Sequence, residues 1–169
     1  VGVLDCQSIE GRATERTAVG VWCDAVGVES KEQCYFLDAT GYIFAEAPTF
    51  SGDAFFTYYG ALPDEGILRN HFLSRDEFSE TSLFLSLLRD DRLRPVFFRI
   101  TGTTTREIAF GSSRGRIIFE STQDYGAIAE GLSALLASEP FKNFDRETFN
   151  LDYIDMRLGE KVFYKMQKE

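Results

Sequence analysis

Close to its end the chain runs Asn150-Leu-Asp-Tyr-Ile-Asp-Met-Arg-Leu-Gly-Glu-Lys-Val-Phe-Tyr-Lys165, and this stretch indicates the fold. From Asp152 to Leu158 successive side chains point to opposite sides of an extended chain. Ile154 and the residues two and four positions after it are apolar and share one side, as in a strand with one buried face. Gly159 interrupts the alternation as a bulge or tight bend would. A second alternation then begins and ends with lysine, which protects an edge strand from wrong pairing. The stretch therefore predicts two closing strands, the last at a sheet edge.

The rest of the chain places two helices among strands. Ser74-Arg-Asp-Glu77 has the spacing of a capping box and predicts a helix to about Asp90, and Asp124 predicts the start of a second helix that Pro140 ends. The regular alternation of a doubly wound sheet is missing. We therefore predict an α+β fold, a mostly antiparallel β sheet with two helices. Besides the closing pair and a short strand near Val1, the predicted strands cover residues 16–22, 34–38, 42–46, 55–59, 94–100, 106–110 and 116–120.

The composition is that of a folded, acidic protein. The 169 residues are 44% hydrophobic and 14% aromatic, which suffices for a core, and their net charge is −9. Because this charge would repel a phosphate backbone, we expect no nucleic-acid binding. No apolar run reaches the roughly 18 to 20 residues that cross a bilayer. The chain begins at Val1 without Met, so we expect it to be a piece of a longer protein.

The cysteines Cys6, Cys23 and Cys34 allow one specific pairing. Cys23 closes one apolar run and Cys34 opens the next, so the two would face each other in an antiparallel hairpin. A disulfide there presumes an oxidising compartment, and two buried thiols are the alternative. Together with His71, the cysteines do not supply an evident zinc site, and we expect neither a metal nor a cofactor.

The residues that could carry catalysis have simpler explanations. Gly111-Ser-Ser-Arg-Gly115 matches the nucleophile elbow of hydrolases, but it lies between two predicted strands and His71 precedes it in the chain. A hairpin loop and a partly exposed loop histidine are the simpler interpretations. Asp152 and Asp155 would point to opposite faces of a strand, whereas Asp155 and Arg157 share a face and predict an ion pair. We predict no catalytic residues.

Three stretches together resemble one bacterial family. They are Tyr153-Ile-Asp-Met-Arg157 with the following glycine and aromatic strand, Glu15-Arg-Thr-Ala-Val-Gly-Val-Trp22 with Cys34-Tyr-Phe-Leu-Asp-Ala-Thr-Gly-Tyr-Ile-Phe44, and Arg106-Glu-Ile-Ala-Phe-Gly111. In order and spacing they are similar to the extracytoplasmic region of the cell-division protein FtsQ, also called DivIB. The resemblance implies a single-pass membrane protein of the division septum that is not an enzyme. Residues 1–23 would be the end of a POTRA domain and residues 24–169 the FtsQ-like β domain.

The resemblance also implies a partner and its site. Members bind the division protein FtsB, with FtsL, when a partner strand pairs with the last β strand. Here that site would comprise Leu158, Gly159, Glu160, Lys161, Val162, Phe163, Tyr164 and Lys165. Its position at a sheet edge suits strand addition, with Phe163 as the anchor between two lysines. The chain would lie outside the cell membrane at the division site, anchored by a segment it does not contain, with no small-molecule ligand expected.

Two other functions remain alternatives. A POTRA-containing component of secretion or outer-membrane assembly would have further POTRA repeats or a β-barrel in the full gene. An unrecognised hydrolase would lose activity when Ser113 or His71 is changed.

Overall fold

The computed structural model describes residues 15–24, 33–48, 54–61, 66–90, 93–110, 115–139, 141–142, 151–159 and 161–167. The strand expected near Val1 lies outside these residues. Within them the chain forms helices α1 (Arg75–Asp90) and α2 (Tyr125–Leu136). The strands are β1 (Gly20–Cys23), β2 (Cys34–Leu37), β3 (Ile43–Ala47), β4 (Phe56–Tyr59), β5 (Pro95–Ile100), β6 (Thr105–Phe110), β7 (Gly115–Glu120), β8 (Leu151–Leu158) and β9 (Lys161–Met166).

The described strands form one sheet in the order β3-β2-β1-β4-β5-β6-β7-β8-β9. Five neighbouring pairs are antiparallel. The pairs β1–β4, β4–β5 and β7–β8 are parallel. The structure thus agrees with the predicted α+β class, but the sheet is mixed, because chain crossovers bring sequence-separated strands together in parallel.

Each helix connects two parallel neighbours of the sheet. Helix α1 joins β4 to β5, and α2 joins β7 to β8. Both connections advance in the same direction along the strand order, and β4 and β7 point the same way. Right-handed crossovers, which are almost universal, then place both helices on one face of the sheet. The two helices indeed contact each other. We call this side the helix face.

One row of cross-strand neighbours shows where the core lies. Of its members, only the residue on β9 is exposed, at 44%, while the others are buried. Phe78, Phe84 and Leu88 of α1 and Leu132 of α2 complete the same cluster. The core therefore lies between the sheet and the helices and thins out at β9. The row comprises Tyr35, Trp22, Tyr58, Phe98, Ile108, Ile117, Ile154 and Tyr164.

Local signals set both helix starts as predicted, and a glycine sets one turn. The Ser74 hydroxyl accepts a hydrogen bond from the Glu77 N–H at 3.2 Å, and the Asp124 carboxylate accepts one from the Ala127 N–H at 3.1 Å. Gly41 closes the β2–β3 turn with φ of 74°, a conformation that side chains other than glycine rarely adopt.

One half of the predicted capping box is wrong. The Glu77 carboxylate accepts hydrogen bonds from Nε and Nη2 of the buried Arg106, at 3.1 and 2.8 Å, in place of the predicted return bond to the helix start. Arg106 also donates from Nη1 to the carbonyls of Gly102, Thr103 and Thr105. This guanidinium therefore ties the start of α1 to the β5–β6 turn.

The predicted boundary at residue 23 stays a prediction. Strand β1 lies inside the sheet, between β2 and β4, so its residues are part of the same layer as the rest. Arg16, from the segment that precedes β1, donates to the carboxylate of Asp38 and lies 4.1 Å from the centre of the Tyr42 ring. These contacts attach the segment before β1 to the β2–β3 turn.

Candidate functional site

The predicted partner site forms one edge of the sheet. Strand β9 is the last of the nine described strands and pairs with β8 on its inner side. Gly159, with φ of 66°, turns the chain between β8 and β9, as the break in alternation predicted. The pairing register shifts between Asp155 and Leu158, which marks a bulge just before this turn.

The two faces of β9 have different surroundings. Tyr164 lies opposite Ile154 on the helix face, and its ring centre is 4.9 Å from that of Phe141. Val162 is also partly buried against the core. On the other face, which we call the open face, Phe163 lies opposite Asp155. This division matches the alternation read from the sequence.

Large apolar side chains remain exposed along this hairpin. Leu158 is 61% exposed, Phe163 51%, Tyr164 44% and Met166 41%. The predicted site ends at Lys165 and leaves out Met166, although the alternation continues through it. Glu160, which belongs to the predicted site, lies outside the described residues. Exposed apolar side chains on a strand at the edge of the described sheet are the features that an added strand would cover.

A carboxylate on β8 holds the lysine at the end of the site. Lys165 donates to Asp152 at 2.7 Å, and Arg116 lies 3.5 Å from the other oxygen of the same carboxylate. The hydrogen bond from Lys165 lowers the pKa of Asp152, and the same contact raises the pKa of Lys165. The strict alternation put Asp152 beside Ile154, but a register shift after Leu151 brings the carboxylate to Lys165. Lys165 is thus positioned rather than free.

The ion pair predicted within β8 is confirmed. Arg157 Nε and Nη2 donate to the two oxygens of Asp155, at 2.9 and 2.6 Å. The hydrogen bonds from Arg157 outweigh partial burial and lower the pKa of Asp155. The pair therefore presents a satisfied, nearly neutral surface at the bulge and leaves the apolar side chains of β9 as the distinctive part of the edge.

A disulfide joins the strands at the opposite side of the sheet. Cys23 and Cys34 are direct neighbours on β1 and β2, with Cα atoms 4.1 Å apart and the sulfurs bonded. Cys23 is 2% exposed. The disulfide closes the connection between these two strands, as the first of the two sequence interpretations expected.

Of the histidine and serines considered for catalysis, the structure describes His71. His71 is partly buried, accepts from Nε of Arg75 at 3.3 Å and packs its ring edge-on to Tyr42. The serines of the elbow-like motif lie outside the described residues. Among the described residues, no group of three or more His, Cys, Asp or Glu could hold a metal ion. In the same part of the chain, neither helix has the length and hydrophobicity to cross a membrane.

A comparison with protein-family models finds no match, and a comparison with curated protein sequences finds none either.

Proposed function

We propose that this chain is the extracytoplasmic region of a bacterial division scaffold of the FtsQ/DivIB type. In this proposal it has no catalytic role and binds an FtsB-like or FtsL-like partner, whose strand adds to β9. The binding residues are those from Leu158 to Lys165, together with Met166. The protein acts at the division site on the outer side of the cell membrane, anchored by a segment upstream of Val1.

The observation that carries the proposal is the difference between the two edges of the sheet. Strand β3 forms the other edge, and none of its described residues is an exposed large apolar side chain. Strand β9 has three such residues within six positions, Phe163, Tyr164 and Met166. Edge strands are ordinarily kept polar to prevent unwanted pairing. An edge that breaks this rule on one side only is best explained by a partner that covers it.

The alternation on β9 also suggests what such a partner strand would look like. Side chains toward the helix face would meet Val162 and Tyr164, and those toward the open face would meet Phe163 between Lys161 and Lys165. Main-chain hydrogen bonds would supply affinity, and the alternate side chains would supply specificity. We expect apolar residues on one side of the partner strand and acidic residues beside an apolar one on the other.

Two further features support the location and class. The Cys23–Cys34 disulfide fits an oxidising compartment outside the membrane, since such bonds are rare in reducing ones. The three stretches that resemble the family fall on β8 and β9, on β1 to β3, and on β6. The elements that carry the resemblance are therefore the disulfide-bonded strands, a core strand and the proposed binding edge.

The test is a binding titration with the extracytoplasmic segment of the FtsB-like protein from the same genome. Parent chain is compared with two single variants, Val162→Pro and Phe163→Pro. Adjacent N–H groups of a strand point to opposite edges. One proline therefore removes an inward donor, which points toward β8, and the other removes an outward donor, which points away from β8. The variant that keeps the parent's stability identifies the outward position, and we expect it to lose binding.

A side-chain comparison accompanies the proline pair. Phe163→Ser should weaken binding by about tenfold or more, as expected for an interface anchor. Val96→Ser removes a comparably exposed apolar side chain, 44% exposed, from the inner strand β5 and should leave binding unchanged. Equal binding by the parent and a stably folded outward proline variant would refute the β9 edge. Failure of the parent itself to bind would refute the division-scaffold proposal.

A further inference from the structure

A groove on the helix face forms a second candidate binding surface, away from the β9 edge. It has a volume of about 500 Å³ and lies between α1 and the segment that begins α2. Leu83 and Leu87, one helical turn apart on α1, form one wall, with Phe84 beside them. Gly126, in the first turn of α2, lies on the other side. Ligand-binding pockets in proteins commonly have volumes in this range.

The apolar wall of this groove is open to solvent. Leu83 is 63% exposed and Leu87 37% exposed, although both belong to the helix that contributes Phe84 and Leu88 to the core. The core stripe of α1 is already complete with Phe78, Phe84, Leu85 and Leu88. Leu83 and Leu87 therefore extend the apolar surface of α1 beyond what the core requires, toward the groove.

The charged groups that line the groove have one sign. Glu80 stands at the end of the leucine wall, and Asp124 stands on the α2 side. Among the described residues, no Lys, Arg or His lines the groove. Asp124 caps the start of α2, so its charge offsets the positive end of that helix. An occupant with basic groups flanking an apolar strip would match this arrangement.

The shape of the groove selects a helix over an extended strand. Its walls consist of side chains of one helix and the first turn of another, so it offers no sheet edge to an incoming backbone. A partner segment must therefore satisfy its own backbone N–H and C=O groups, as a helix does. A second copy of this chain is a poor match, since each copy carries a net charge of −9.

We propose that the α1–α2 groove binds an amphipathic helix of another protein, with apolar residues one turn apart and lysine or arginine on both sides of them. The leucines at 83 and 87 contact the apolar strip, and the carboxylates of Glu80 and Asp124 face the basic residues. This site is separate from β9 and does not depend on which strand β9 accepts.

The first experiment uses a synthetic helical peptide of about 18 residues as the probe, with leucines at i, i+4 and i+7 and lysines flanking them. A matched peptide carries glutamate in place of each lysine. Binding to the isotopically labelled chain is followed by amide chemical shifts. We expect the lysine peptide to shift amides at residues 80–87 and 121–126, and the glutamate peptide to cause no shift. Shifts scattered over other acidic surfaces, or confined to β9, would overturn the proposal.

The second experiment separates apolar contact from simple charge attraction. Leu83→Ser combined with Leu87→Ser should weaken peptide binding by about tenfold or more, because the apolar area is lost. Leu68→Ser combined with Val96→Ser, at positions 42% and 44% exposed outside the groove, should change nothing. If both double variants bind the lysine peptide as the parent does, the peptide is held by net charge alone and the groove is not a site.

Charge variants and self-association complete the test. Asp124→Asn keeps the cap acceptor and removes the charge, and with Glu80→Gln it should weaken binding several-fold. The matched pair Glu15→Gln and Glu46→Gln lies at the β3 side of the sheet and should have no effect. Sedimentation of the unliganded chain should show monomer. A dimer that the Leu83→Ser, Leu87→Ser variant dissociates would assign the groove to a second copy and overturn the proposal.

Discussion

Removal of the Cys23–Cys34 disulfide should cost the chain about 3 kcal/mol of unfolding free energy. The two cysteines are 11 positions apart, and a cross-link over so short a loop restricts the unfolded chain by about that amount in the chain-entropy model. Because the loop joins neighbouring antiparallel strands, the folded state loses no pairing when the sulfurs separate. The native sheet should therefore survive reduction and become less stable rather than rearrange.

Urea unfolding with and without a phosphine reductant measures this cost. With a slope of about 1.5 to 3 kcal/mol per molar urea, the parent midpoint should fall by roughly 1 to 2 M on reduction. The double variant Cys23→Ala, Cys34→Ala should match the reduced parent and should not respond to the reductant. Trypsin cuts after Lys31, so the oxidised parent should also yield a linked pair of peptides covering 17–31 and 32–69.

Two outcomes would refute this reasoning. A reduction effect below about 1 kcal/mol would mean that the cross-link contributes little to stability. Absence of the linked peptides from protein secreted into an oxidising compartment would mean that the thiols do not pair there. The second result would also remove the support that the disulfide gives to an extracytoplasmic location.

Two further predictions concern buried charges. Arg106→Met should lower the free energy of unfolding, measured in urea, by about 3 to 5 kcal/mol. The reason is that the Glu77 carboxylate and three carbonyls of the β5–β6 turn lose their hydrogen-bond donor. A loss below about 1 kcal/mol, or no coupling with Glu77→Gln in a double-mutant cycle, would contradict this prediction. Burial alone would raise the pKa of Asp38, but hydrogen bonds from Thr40, Tyr42 and Arg16 lower it below the ordinary 3.8. The ionised Asp38 therefore contributes fully to folding stability above pH 3.8, and this contribution is lost as pH falls below that value. Asp38→Asn should destabilise the chain at pH 7 by about 1 to 2 kcal/mol and progressively less below pH 3.8. A destabilisation that does not change with pH would contradict the assignment.

The sequence predicted the elements well because their signals are local. Alternation, a serine or aspartate cap and a turn glycine each act within a few residues, and each predicted strand or helix in the described part of the chain overlaps an observed one. The strand predicted over residues 16–22 is shorter than expected, because β1 begins only at Gly20. The predicted helix starts after Ser74 and Asp124 agree with the structure to the residue. Patterns that extend over a few residues depend on backbone geometry and on the burial of one face, and neighbouring residues determine both.

Contacts between distant segments could not be predicted in the same way. The parallel pairs β1–β4 and β7–β8 join segments far apart in sequence, and no local pattern records which strands become neighbours. The Glu77 carboxylate has the right spacing for a capping box, and only the arrival of Arg106 from β6 explains its different partner. A buried guanidinium forms a stronger hydrogen bond to a carboxylate than a backbone N–H that water can reach.

The candidate site was partly predictable for a related reason. Lysines at both ends of the last alternation indicated an edge strand, and the charge pattern alone carried that information. Tyr164 lies on the helix face, so its exposed fraction depends on how far the helices cover the sheet, which the sequence of β9 does not contain. Phe141 was likewise missed, because its packing against Tyr164 joins segments that are far apart in sequence.

The positions of the disulfide and of β9 make stability and binding separable. Five strands lie between β1 and β9, so at about 4.8 Å per strand the cross-link is roughly 29 Å from the proposed edge. Reduction acts mainly on the unfolded chain and leaves the β8–β9 register untouched. The reduced protein, kept in conditions where it remains folded, should therefore bind a strand at β9 with the parent's affinity. A loss of affinity on reduction would mean that the partner contacts the β1–β2 side, and the edge would then be only part of its site.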